Sequence, residues 1–141
     1  MKLTRVLSLM LVVVLTACAL VSCGGRNESE VTTVTTLPMK QATVDLQVVD
    51  ADGNVVVESK AYKFTSSTLD PTPNNVLDDY CYMNDITIKV DEYGTLVTVG
   101  KVSAKDGESY WSTAVNGKVV DYSEAAVKDG DVIVITLTKL S

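Results

Sequence analysis

The sequence predicts an α+β fold, a mixed sheet with an N-terminal hairpin and one short helix packed across it. Three stretches carry this expectation. Tyr110-Trp111-Ser112-Thr113-Ala114-Val115 is rich in β-formers and runs into Asn116-Gly117, a dipeptide that accepts positive φ at both central turn positions, so the chain folds back there. Val132, Ile133, Val134, Ile135 and Leu137 are apolar on both parities, the pattern of a strand covered on both faces, which places it at the centre of the sheet. Asp70-Pro71-Thr72-Pro73 is a helix start, with Thr72 as cap and Pro73 in the first turn, where its missing N–H does no harm.

The start of the chain reads as an export signal. Lys2 and Arg5 precede an apolar run from Val6 to Leu15, extended by Ala19, Leu20 and Val21, with no acid before Glu28. Leu20-Val21-Ser22-Cys23-Gly24 has the shape of a bacterial lipobox, in which cleavage before the cysteine leaves it to carry acyl chains. Leu15-Thr16-Ala17-Cys18 has the same shape. Cys23 is preferred because the polar Gly24-Gly25-Arg26-Asn27-Glu28 follows it, whereas Ala19-Leu20-Val21 would follow Cys18. A transmembrane anchor is the alternative for this run, but small residues and a cysteine at its end fit cleavage better. Removing residues 1–22 takes Lys2 and Arg5 and leaves 119 residues with 10 basic against 18 acidic side chains, a net charge of −8. The expected product is an acidic protein held to a bacterial membrane by lipid on the extracytoplasmic side, with no basic patch for nucleic acid. Residues 23–41, rich in Thr, Glu, Ser and Val, read as a flexible tether.

The folded domain spans 42–141. Thr43 to Asp50 sets Val44, Leu46 and Val48 against Asp45, Gln47 and Val49, a strand with one buried face. Asp50-Ala51-Asp52-Gly53-Asn54 turns it, and Val55 to Phe64 returns. On the helix that follows, Val76, Leu77, Tyr80, Cys81 and Met83 share one face, with Asp78 and Asp79 on the other. At about three turns the helix needs the sheet to hold it. Hairpin then helix is the order in which a β-grasp begins. Ile86, Ile88 and Val90 alternate as a third strand, Glu92-Tyr93-Gly94-Thr95 turns, and Leu96 to Val99 extends again. Gly100 to Ser109 reads as a polar loop, and Asp121 to Ala126 as one helical turn capped by Ser123. Lys128-Asp129-Gly130-Asp131 feeds the closing strand.

An aromatic pair, Val-Asn-Gly, a spacer, then Asp-Gly-Asp and a β-rich finish resembles a small domain of unknown function found in bacterial surface lipoproteins. The same domain forms the C-terminal β-grasp-like part of transcobalamin and intrinsic factor. The resemblance covers roughly Ala42 to Ser141 and rests on Tyr110, Trp111, Val115, Asn116, Gly117, Gly130 and Asp131. In the vitamin B12 carriers the similar domain closes over one side of the corrinoid and a larger helical domain forms the other. That helical part is not in this sequence. The resemblance therefore implies half a site, one that binds a cobalamin-type ligand weakly or together with a partner protein.

With no histidine in the chain, imidazole catalysis, a serine triad and most zinc sites are excluded. The acid pairs Asp78-Asp79, Asp91-Glu92 and Asp129/Asp131 sit where solvated acids normally sit, and the expectation is that the protein is not an enzyme. Asp50, Asp52 and Asn54 resemble the opening of a Ca²⁺ loop, but the twelfth position, which needs a bidentate glutamate, is Ala61. After acylation of Cys23, Cys81 is the single thiol left and reads as a core residue. Tyr110, Trp111, Asn116 and Tyr122 are the candidate ligand-binding residues, since aromatic rings on a sheet face stack on planar ligands or sugars; the alternative is that they fill the core or cover a sheet edge. The expected function is a non-catalytic binding module for a corrinoid or another small planar ligand. The alternatives are a structural or adhesive surface protein that meets another protein through a sheet edge, and a divalent-cation module.

Overall fold

The computed structural model describes residues 37–141. The expected signal peptide over 1–22, Cys23, its alternative Cys18 and most of the tether lie outside those residues. Among the described residues no helix is long and apolar enough to cross a membrane.

Strands β1 (Lys40–Val49) and β2 (Val55–Ser66) form the N-terminal hairpin. Ala42, Val44, Leu46 and Val48 are buried on β1, as a period of two requires. The hairpin starts before Ala42, since Lys40 pairs with Ser66 and Gln41 with Thr65. Its turn is set by Asp50, whose Oδ1 accepts the backbone N–H groups of Asp52 at 2.9 Å and Asn54 at 2.8 Å.

Helix α1 (Pro73–Met83) begins where expected: Thr72 is extended and its Oγ1 accepts the Asn75 N–H at 3.2 Å. Val76, Leu77 and Cys81 are fully buried. Tyr80 is half-buried, its ring 5.1 Å from that of Tyr62 in an edge-to-face contact. Met83 does not join that face. It lies about 200° round the helix from Cys81 and is 69% exposed. Burial, and then the charge of Asp78, pushes the Cys81 thiol up to about 11, which leaves it an inert core group.

Strands β3 (Ile88–Val90), β4 (Leu96–Val99) and β5 (Val102–Ser103) make a small antiparallel sheet of their own. The expected polar loop from Gly100 to Ser109 thus contains a strand, formed because Val102 and Ser103 pair back onto Val99 and Thr98. Strands β6 (Ser109–Val115), β7 (Lys118–Val119) and β8 (Val132–Lys139) complete the main sheet, whose order is β2-β1-β8-β6-β7. β8 lies third of the five, parallel to β1 and antiparallel to β6, so the sheet is mixed and the closing strand is central.

Only one face of β8 is covered, against the expectation of two. Ile133, Ile135 and Leu137 are buried, whereas Val134 and Thr136 are half-buried and Val132 is exposed. The helix and the small sheet contribute Val76, Leu77, Cys81, Leu96 and Val99 to the same buried cluster as Ile133 and Ile135. Val134 is apolar without belonging to that cluster, and its residue type suits the pleat rather than burial. Asp121 to Ala126 makes the single helical turn expected, closed by the Ala125 N–H on the Asp121 carbonyl at 3.3 Å, but its cap differs. Asp121 Oδ1 accepts the N–H of Ser123 at 2.8 Å and of Glu124 at 3.0 Å, so Asp121, not Ser123, is the capping group.

Candidate functional site

The four candidate residues do not converge. Tyr110 and Trp111 are neighbours on β6 and point to opposite faces of the sheet. Trp111 packs against the core, and its Nε1 donates to the Val97 carbonyl at 3.0 Å, tying the main sheet to the small one. Tyr122 also packs on the core, with its hydroxyl buried and without a partner among the described residues. Burial, and then the Asp78 charge, raises that phenol well above its ordinary range. Tyr110 is 48% exposed and is the one aromatic of the four free to meet a ligand.

Asn116 is occupied by the fold. It takes φ 52° and Gly117 takes φ 78°, the left-handed pair that a two-residue hairpin turn requires. Its Nδ2 donates to Asp131 Oδ1 at 2.8 Å, and its Oδ1 accepts the Val132 N–H at 2.9 Å. The second oxygen of Asp131 accepts the Lys128 N–H at 2.9 Å. Burial of the Asp131 carboxyl opposes ionisation, but the Asn116 amide, the Lys128 N–H and the Lys128 charge outweigh it and hold the carboxyl below its usual range. Val-Asn-Gly and Asp-Gly-Asp, which stand apart in sequence, are therefore two halves of one latch at the entry to β8.

Asp50, Asp52 and Asn54 are also engaged within the fold. The Asp50 carboxylate holds the turn through both oxygens, with Asn54 Nδ2 donating to Oδ2 at 2.9 Å, and Asp52 pairs with Lys139 Nζ at 2.9 Å. The Asn54 side chain first, then the turn amides, lowers the Asp50 carboxyl below its ordinary range. Among the described residues no group of three or more Asp, Glu, His or Cys side chains is placed to hold a metal ion.

Tyr110 lies on the outer face of β1, β8 and β6. Tyr110 stands beside Thr138, Ser112 beside Thr136, and Ala114 beside Val134, with Gln47 and Val49 on the flanking strand. No side chain of β6 or β8 on this face is charged, in a chain where 21% of residues are. The charges sit at its margin, where Asp45 pairs with Lys60 at 3.3 Å. The strip from Tyr110 to Ala114 across three strands measures roughly 10 Å by 13 Å. It is an even, uncharged, largely half-buried surface with hydroxyls at Ser112, Thr136 and Thr138 and one aromatic at its end.

Sequence reasoning did not find a groove of about 410 Å³ beside β2. It is lined by Phe64, Thr65, Leu69, Asp78, Asp79 and Ile88, among others, drawn from three elements distant in sequence. Their meeting depends on where α1 packs, which no local pattern reveals.

No protein-family model and no curated protein matches the chain. Among solved structures the fold is similar to that of a protein from Ruminococcus gnavus ATCC 29149 provisionally described as metal binding. The identity there is 22% and the TM-score 0.50, over 71% of this chain and 99% of that one. It is also similar to part of haptocorrin, solved in complex with Cbi, at 15% identity and a TM-score of 0.52 over 72% of this chain. This chain spans 26% of the haptocorrin chain. At such identities the likeness concerns the fold alone, and the fold agrees with the transcobalamin-like resemblance of the sequence.

Proposed function

We propose that this protein is a lipid-anchored, extracytoplasmic, non-catalytic binding module that holds a small planar ligand of the corrinoid type against the outer face of β6, β8 and β1. The observation that carries this reading is the uncharged strip ending at Tyr110, where stacking and close apolar contact are available without desolvating a charge. The fold it shares with part of haptocorrin, whose structure was solved with Cbi, supports the choice of ligand class. The apolar run that ends at Cys23 supports the anchor. A cation role has less support, since Asp50, Asp52 and Asn54 are engaged in turn and ion-pair contacts.

Titrating the full chain in detergent with cobinamide tests the reading. Binding is expected to quench Trp111 fluorescence and shift the corrin spectrum. Tyr110→Ala should weaken it by about tenfold, and Thr136→Lys, which puts a charge in the middle of the strip, should weaken it further. No spectral change up to about 1 mM, or binding indifferent to both substitutions, overturns the assignment.

A further inference from the structure

β2 ends the strand order of the main sheet, so one of its sides is a free edge. In an antiparallel ladder, successive residues turn their backbone N–H and C=O to alternate sides. The Thr43 N–H donates to Asp129 Oδ1 at 2.7 Å, and its C=O accepts the Gly130 N–H at 2.8 Å. The Asp45 N–H donates to the Asp131 C=O at 2.9 Å. The odd-numbered residues of β1 thus face β8. Bonded pairs between β1 and β2 must then be the even ones, Ala42 with Phe64 and Val44 with Tyr62. The backbone groups of Lys63 and Thr65 point outward, and neither has a backbone partner there among the described residues.

Half of this edge is protected. At the bulge before Tyr62, Ala61 takes φ 49° and its N–H donates to Asp45 Oδ1 at 2.9 Å, which breaks the line of the strand. Further along, the Tyr80 hydroxyl donates to the Glu58 carbonyl at 3.5 Å. Natural sheets guard their edges with such devices. Lys63 to Thr65 has neither a bulge nor a covering side chain; its one charge, Lys63, lies on the face opposite Phe64, and Thr65 opens onto the 410 Å³ groove. Asp78 and Asp79 line that groove together with Leu69, Ile86 and Ile88. Asp79 Oδ2 accepts the Tyr62 hydroxyl at 2.7 Å, but neither acid is neutralised by an ion pair among the described residues, although Asp45, Asp52, Asp70 and Glu108 are.

The geometry points to β2 as a docking edge for an extended peptide segment carrying lysine or arginine at alternate positions. Its main chain adds to the sheet at Lys63 and Thr65. Alternate side chains of an added strand project to the side of Phe64, into the groove. There an aliphatic stem lies along Leu69, Ile86 and Ile88, and the cationic head reaches Asp78 and Asp79. An acidic or wholly apolar segment would leave those two carboxylates facing a like charge or no charge.

The probe is the acetylated, amidated hexapeptide Val-Lys-Val-Lys-Val-Lys, titrated into the full chain in detergent and followed by amide hydrogen exchange. Binding should slow exchange at Lys63 and Thr65, and added salt should weaken it. The same peptide with glutamate for lysine, or with alternate amides N-methylated, should not bind. Asp78→Asn should weaken binding about threefold. Thr65→Pro removes only an outward N–H from an edge strand, so the protein stays folded and the peptide is lost. Unchanged exchange at Lys63 and Thr65 overturns the proposal. So does equal binding of the glutamate or N-methylated peptide, or undiminished binding to folded Thr65→Pro.

Discussion

Asn116 shows how much one side chain can carry. Its amide meets the buried Asp131 carboxylate, its carbonyl meets the first N–H of β8, and its backbone occupies the left-handed region. Asn116→Ala removes both side-chain bonds and leaves alanine at φ 52°, so a loss of about 2–3 kcal/mol is expected in urea melts at neutral pH. The pH dependence follows from the Asp131 carboxyl, which is held below its usual range in the folded protein. A lowered folded value means the stabilisation is complete above the ordinary carboxylate range and is lost as pH falls through the lowered value. The gap between wild type and Asn116→Ala should therefore be full near neutrality and shrink below about pH 4; a gap that stays constant into acid would separate Asp131 from the latch. The turn itself was legible from Asn116-Gly117, but the partner of the asparagine was not. Nothing in a turn signal indicates which acid, 15 residues further on, completes it.

Among the elements, α1 was legible to the residue at its start because capping is local: Thr72 and Pro73 announce it without reference to the rest of the chain. Its end was less so, since the side on which Met83 falls depends on where the sheet lies. No acid occupies the first turn and no base the last, so the helix takes its stability from the cap and from packing. Thr72→Ala should cost about 1 kcal/mol, and Leu77→Ala, at a fully buried position, about 3 kcal/mol, both read as shifts of the denaturation midpoint. Equal losses would mean the packing account is wrong. The opposite lesson comes from β5 and the outer face of β8. Val102-Ser103 is too short for any period to show, and it exists because β4 is already there to pair with it. Val134 looked like a core residue because β-branched side chains serve the pleated backbone as well as the interior. The outer face of β8 was thus misjudged as covered, while the parity that separates Tyr110 from Trp111 was read correctly from strand geometry alone.

For the whole molecule, the order of strands matters more than their number. The first and last long strands lie side by side and run the same way, joined over Asp45 to Val49 and Val132 to Thr136. Tension between Lys40 and Ser141 would drag these two strands along their length in opposite directions, so that every rung between them resists at once instead of parting in sequence. End-to-end stretching of single molecules should show one abrupt rupture at high load. Attachment through Asp52→Cys and the C-terminus, which grips both strands from the same end, should peel them apart at a several-fold lower load. Held at its two ends, the domain would thus bear load along its strongest axis, with the seam between its first and last long strands as the bolt.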